Sequence, residues 1–155
     1  MELRYYTDTL IEYKLAKLRL KYLLAKKEEL YVRYLGVKSP HMGEEASHGN
    51  MFNRDKIIAY LSKLQEVREN GLSLNDEIDI VSKEIEILEC IIESMTKSIS
   101  SLEGIEGKLY YEIVVNNRKP TDAVKHISES EHISETVIWH KYYNKIKNDI
   151  KRLKK

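Results

Sequence analysis

The sequence contains few of the residues that interrupt helices or cross-link chains: six Gly, two Pro and one Cys among 155 residues. A single cysteine excludes an internal disulfide and a cysteine-cluster metal site. Cys90 lies in an apolar helical run, and we interpret it as a small buried hydrophobe. No stretch approaches the roughly 18 uninterrupted apolar residues of a membrane helix, and the N-terminus lacks the apolar core of a signal peptide. We therefore expect a soluble, intracellular protein.

Charge is plentiful but unevenly distributed. One third of the residues are charged and the net charge is only +1, a composition typical of exposed helices. Residues 41–107 carry fourteen acids against six bases, whereas residues 108–155 carry eleven bases against six acids. The C-terminal third is thus either a surface for a polyanion or a solvated, lysine-rich helix end.

Residues 1–36 predict an N-terminal amphipathic helix, from about Thr9 to Leu35, with Gly36 as its C-terminal stop. Its apolar residues form two rows at helical spacing. The first row is Ile11, Leu15, Leu18, Tyr22 and Ala25. The second row is Leu10, Tyr13, Leu20, Leu23, Leu24 and Leu30.

Residues 37–53 are predicted to form a polar linker, because they include turn-forming residues and show no apolar period. His41 and His48, with Glu44 and Glu45, are the residue types that bind metals. Because a linker offers no rigid frame for ligand geometry, we do not predict a metal site there.

Residues 54–103 carry a heptad pattern. They predict helices over about 54–69 and 74–101, with a break at Asn70-Gly71. The apolar seam alternates spacings of three and four: Ile57, Tyr60, Leu64, Val67, Gly71, Leu74, Ile78, Val81, Ile85, Leu88, Ile92, Met95, Ile99 and Leu102. The seam fits a bundle with the first helix or a homodimer through residues 57–102, and the pattern leaves both open.

Residues 104–155 predict three helices joined by short turns, which is the plan of a helix-turn-helix DNA-binding domain. A short apolar helix over 105–115 comes first. The second helix is expected over Asp122–Ser128, capped by Thr121, and the third over Glu135–Leu153, capped by Ser134. The third helix is the longest and ends in a basic tail.

In this plan the third helix enters the major groove of DNA with its N-terminal end. We expect Glu135, Thr136 and His140 to meet base edges, and lysines to hold phosphates. Trp139 favours the core over the groove. The complete set of predicted DNA-binding residues is Thr121, Ser134, Glu135, Thr136, Trp139, His140, Lys141, Lys145 and Lys147.

A family resemblance is carried by Thr121-Asp122-Ala123-Val124 and by the run Ile133-Ser134-Glu135-Thr136-Val137-Ile138-Trp139-His140-Lys141-Tyr142-Tyr143. These residues resemble region four of sigma factors, and more closely the phage late-gene regulators of the RinA and ArpU type. The resemblance implies an all-α DNA-binding transcriptional regulator of a phage or prophage, acting in the bacterial cytoplasm. It further implies recognition through Glu135, Thr136, Trp139 and His140, and it leaves open whether RNA polymerase is contacted.

Two other classes fit the same pattern: a coiled-coil adaptor or inhibitor that binds protein, and a DNA-packaging protein like a small terminase subunit. The terminase class would assemble into a ring, and the adaptor would not bind nucleic acid. We do not expect an enzyme or a cofactor, because the sequence has no Gly-rich phosphate loop and no Cys-His arrangement.

Overall fold

The computed structural model describes residues 3–36 and 54–155, and within these residues every regular element is helical. The predicted all-α class is therefore confirmed. None of the described helices is both long and apolar enough to cross a membrane. The helices are α1 (Leu3–Leu35), α2 (Arg54–Gln65), α3 (Leu74–Ser100), α4 (Ile105–Tyr110) with a π-helical turn (Tyr111–Val115), α5 (Pro120–Glu131), α6 (Glu135–Val137) with a π-helical stretch (Ile138–Tyr143), and α7 (Asn144–Leu153).

The chain forms two compact units. Among the described residues, the first unit combines residues 3–14 with residues 86–155, and the second unit combines residues 15–36 with residues 54–85. The sequence suggested a division in chain order, into 1–36, 37–53, 54–103 and 104–155. The compact units instead combine segments that are distant in sequence, because α1 and α3 each contribute to both.

Helix α1 begins six residues earlier than the predicted Thr9. Threonine is common at helix starts, but Thr7 and Thr9 lie inside α1. Their hydroxyls donate to the carbonyls of Leu3 and Tyr5, four residues back, at 3.0 and 2.9 Å. This back-bonding satisfies the hydroxyls without ending the helix. Gly36 ends it as predicted, with φ of 84° and its amide donating to the Val32 carbonyl at 3.1 Å.

The first unit has a single apolar core. Leu109, Tyr110 and Ile138 are fully buried at its centre. The start of α1 and the end of α3 pack in this core against α4, α5 and the last helix, which consists of α6, its π-helical stretch and α7. Its buried members are Tyr6, Met95, Ile99, Leu109, Tyr110, Ile113, Ala123, Val124, Ile127, Ile138, Ile146 and Ile150.

Two tyrosine hydroxyls bond to threonines inside this unit. The Thr7 hydroxyl lies 2.5 Å from that of Tyr110, and the Thr96 hydroxyl lies 2.8 Å from that of Tyr6. Each threonine already donates its only proton to a carbonyl four residues back, so each tyrosine is the donor. The Tyr6 and Tyr110 rings also meet edge to face, at 5.9 Å and 76°, a favourable arrangement of ring quadrupoles.

The second unit packs α2 and the start of α3 against α1 around Leu23, Tyr60, Leu64, Leu74 and Val81. The Tyr31 and Tyr60 rings add an edge-to-face contact at 5.6 Å. Tyr60 and Leu64 of α2 thus find apolar partners within the chain, whereas Ile58 and Leu61 are 56% and 50% exposed.

The break at Asn70-Gly71 is confirmed, and α2 ends at Gln65 rather than near Glu69. Gly71 adopts φ of 80°, which glycine adopts without strain. Asn70 donates to the buried Glu77 carboxylate at 2.5 Å, and Arg68 pairs with the same carboxylate. Ser73 opens α3 with a reciprocal cap to Asp76.

The heptad seam is filled from within the chain. Its residues are buried or half-buried, except for Val67, which is 65% exposed, and Gly71 in the turn. The intramolecular alternative is therefore the one observed. A homodimer through residues 57–102 stays a prediction.

Cys90 corrects one prediction, because its side chain is exposed. Helical phase is the reason. Leu88 and Ile92 point along the seam, and Cys90 between them falls on the opposite side of α3.

Gly107 is buried against Leu102, and a Cβ added there would lie 2.8 Å from the Leu102 Cβ. We expect Gly107→Ala to lower the free energy of unfolding by about 1–3 kcal/mol through overpacking. Gly104→Ala is the matched control, since nothing lies within 4 Å of its added Cβ. Urea unfolding of both variants checks this, and equal midpoints would contradict it.

Burial raises the pKa of Tyr110 from 10.0 to about 12. The raised pKa favours the neutral phenol in the folded state, so this stabilisation is complete below about pH 10 and is lost as pH rises through about 12. We expect the wild type to lose about 2 kcal/mol more than Tyr110→Phe between about pH 9 and 11.5. Denaturant unfolding across this range measures the difference. Parallel pH profiles would refute the assignment.

Candidate nucleic-acid interface

The second helix of the predicted motif is longer than expected at both ends. It spans Pro120–Glu131 as α5, with Lys119 rather than Thr121 at the N-cap. Proline is pre-organised for the first helical position because its φ is fixed and its missing N–H is not needed there. The predicted cap at Thr121 is therefore wrong, and Thr121 lies exposed in the first turn of α5.

The turn after α5 is closed by local hydrogen bonds. His132 ends α5 in the left-handed conformation, with φ of 56°. The Ser128 hydroxyl donates to the Ile133 carbonyl at 2.6 Å. Ser134 then caps the last helix as predicted, since its hydroxyl oxygen accepts from the Val137 amide at 3.3 Å. An ion pair of 2.5 Å between Lys108 and Glu131 connects α4 to the end of α5.

The C-terminal helix runs from Glu135 to Leu153, the predicted bounds, through α6, the π-helical stretch and α7 without a break. One side is buried in the first unit through Ile138, Ile146 and Ile150. This packing fixes the direction in which the other side of the helix points.

The exposed side contains most of the predicted recognition residues. Glu135, Thr136, His140 and Lys141 are all exposed to solvent, as is the cap residue Ser134. We call Thr136, His140 and Lys141, with Glu135 at the helix start, the recognition face. No part of the described chain covers these four side chains.

Trp139 departs from the set implied by the resemblance. It is half-buried, packs against the core of the first unit, and meets the Tyr143 ring edge to face at 4.8 Å and 76°. Its indole therefore packs with the core, as expected from the preference of Trp139 for the core over the groove.

The basic residues of the C-terminal helix are in different environments. Lys145 pairs with Glu106 at 3.0 Å, and Arg152 pairs with Asp8 at 2.6 Å. Lys147 is half-buried, whereas Lys141 is exposed and lies 5.5 Å from the Tyr142 ring centre. Solvent-exposed ion pairs of this kind are weak and exchangeable.

Lys119 is a candidate that the sequence analysis did not select. It is exposed at the N-cap of α5, directly before the free amides in the first turn of that helix. Such amides and a neighbouring cation attract anions. The dipeptide Lys119-Pro120 was the available signal, because proline marks the first helical position.

Within residues 3–36 and 54–155, no three His, Cys, Asp or Glu side chains come together to hold a metal ion. The histidines and glutamates of the 37–53 linker lie outside the described residues. Comparison of the chain with protein-family models, curated proteins and solved structures finds no match. The case for a function therefore depends on the geometry of this interface.

Ser134 and Thr121 make a matched pair for testing the cap. We expect Ser134→Ala to lower the free energy of unfolding by about 1 kcal/mol, because the Val137 amide loses its acceptor. Thr121→Ala should change the stability little, since this exposed threonine caps nothing. Thermal melts of both variants report the effect. A larger loss for Thr121→Ala would contradict the cap assignment.

Proposed function

We propose that this protein is a sequence-specific DNA-binding transcriptional regulator of a phage or prophage, with a sigma-like helix-turn-helix. The observation that carries the proposal is the two-sided C-terminal helix. Ile138, Ile146 and Ile150 lie in the core, while Thr136, His140 and Lys141 are exposed. A helix presented in this way, after a short capped turn, has the geometry of a groove-reading helix.

The recognition face has the chemistry to read bases. The methyl group and hydroxyl of Thr136 suit a thymine methyl or a hydrogen-bonding base edge, and Glu135 suits a cytosine amino group. His140 can donate to a base acceptor or to a phosphate. These residues come at the start of the helix, the end that reaches deepest into a major groove in this class of domain.

Phosphate contacts would come from two places. Lys119 and Thr121, with the first amides of α5, form one cluster of donors. Lys141 and Lys151 are exposed along the C-terminal helix. Lys145 and Arg152 would first have to exchange their carboxylate partners, Glu106 and Asp8, for phosphates. We therefore expect fewer phosphate contacts than the number of basic residues suggests.

Contact with RNA polymerase and action in the bacterial cytoplasm belong to the same proposal, through the resemblance to sigma region four. The adaptor and terminase-like alternatives predict different behaviour. An adaptor does not select a DNA sequence, and a terminase-like protein assembles into a ring.

The test is selection of bound duplexes from a random or host-genomic DNA pool by the full chain. The full chain is needed because α1 and α3 contribute to the core beneath the C-terminal helix. We expect one sequence motif to be enriched. Thr136→Ala and His140→Ala should alter the motif, whereas Lys97→Ala, an exposed charge on α3, should not.

Affinity for the selected site should fall with salt, with a log–log slope of about −4 if four or five phosphates are neutralised. Lys141→Ala should reduce the steepness by about one and weaken all sequences alike. Absence of any enrichment at about 50 mM salt, where phosphate contacts are strongest, would overturn the proposal.

A further inference from the structure

The π-helical stretch changes which side chains line up along the C-terminal helix. Its i→i+5 hydrogen bonds place more residues in each turn than the 3.6 of an α-helix. Residues four apart drift around an α-helix by about 40° per step, so the wider turns of residues 138–143 keep such residues nearly in line. The inner side has this spacing, because Ile138 and Ile146 are buried and Tyr142 between them packs against the same core.

The exposed side of the helix repeats at the same spacing. Thr136, His140 and Asn144 are all exposed and follow one another at intervals of four residues. We call these three residues the polar line. Each of these side-chain types can both donate and accept hydrogen bonds when it is neutral. Asn144 was not among the predicted DNA-binding residues, and it extends the recognition face by one turn.

The carboxamide of Asn144 is held by the helix itself. Its Nδ2 donates to the His140 carbonyl, four residues back, at 3.0 Å. This bond uses one of the two N–H donors of the side chain. The other N–H and the carboxamide oxygen bond to no other described residue. A side chain that is already oriented loses less conformational entropy when it binds than one that rotates freely.

The remaining N–H and oxygen have the chemistry to read adenine. In the major groove, adenine presents an acceptor, N7, next to a donor, the N6 amino group. An asparagine carboxamide pairs with both groups at once, with its N–H on N7 and its oxygen on N6. Guanine is rejected because both of its neighbouring groups, N7 and O6, accept hydrogen bonds.

We propose that Asn144 is a base-reading residue that selects adenine, one helical turn beyond His140. This role rests on the proposed function, since it requires the exposed side of the C-terminal helix to face the major groove. The π-helical stretch keeps the members of the polar line on one side of the helix. In a regular α-helix, the two steps from Thr136 to Asn144 would turn the asparagine by about 80° away from the threonine.

Two substitutions of Asn144 test this role by selection of bound duplexes with the full chain. The wild-type motif should contain one strongly preferred adenine. Asn144→Ala and Asn144→Ser should both reduce that preference by about ten- to a hundredfold, the range of one bidentate base contact, and leave the other positions unchanged. The serine hydroxyl can still bond to the His140 carbonyl, so Asn144→Ser separates base reading from the local helix bond. Circular dichroism checks that both variants keep their helical content.

Asn148→Ala is the matched control. Asn148 is exposed on the same helix, but it lies one turn farther from the end that reaches base edges. The regular α-helix from Asn144 onward also turns it about 40° out of the polar line. We therefore expect Asn148→Ala to leave every position of the motif unchanged.

Several outcomes would overturn the role of Asn144 while the proposed function stands. They are a wild-type motif without a preferred adenine, a preference that survives in either Asn144 variant, and a preference that Asn148→Ala also removes. A loss of affinity that is equal for all sequences would likewise show that Asn144 only supports the helix. Absence of any motif with the wild-type chain would instead remove the proposed function, and the role of Asn144 with it.

Discussion

The buried Tyr110 connects the parts of the first unit. Its ring is fully buried and meets the ring of Tyr6, while its hydroxyl donates to Thr7 near the start of α1. Burying a phenol without a hydrogen-bond partner is costly, so the hydroxyl requires Thr7 at this position. The requirement couples α4 to the first turns of α1, a segment about a hundred residues away in sequence. The three C-terminal helices therefore share their core with the beginning of the chain.

That core determines which side of the C-terminal helix remains available. Ile138, Ile146 and Ile150 pack inward, which leaves Thr136 and His140 to solvent. The cap by Ser134 begins the helix at a defined residue, so the recognition face starts at a defined place. The proposed regulator would depend on this rigidity, since base readout needs side chains held in a fixed register. The ion pairs of Lys145 and Arg152 show that charge on this helix also serves internal contacts.

The two apolar rows of α1 differ in how far they are buried. A helix of 33 residues can be apolar on more than one side, and a small unit covers only one of them. The inner row contributes to the core, and the outer row keeps a heptad spacing and basic flanks.

Much of the local structure could be predicted because it depends on neighbouring residues. Ser134 was identified as a cap, and the C-terminal helix as running from Glu135 to Leu153, since capping and helical period are local properties. Local rules failed where two signals compete. Thr9 and Thr121 resemble helix starts, yet α1 begins at Leu3 and α5 at Pro120. The Thr9 hydroxyl bonds to a carbonyl four residues back and so fits inside a helix. At the start of α5, Pro120 occupies the first helical position ahead of Thr121.

The sequence by itself determined the all-α class, the break at Asn70-Gly71 and the two-sided character of the last helix, because each follows from local propensity and period. Only the tertiary structure decided which apolar row of α1 is buried, that the seam closes within the chain, and that Lys145 and Arg152 meet Glu106 and Asp8. Those outcomes depend on contacts between residues far apart in sequence. A periodic pattern shows that a side of a helix must be covered, but not which segment covers it.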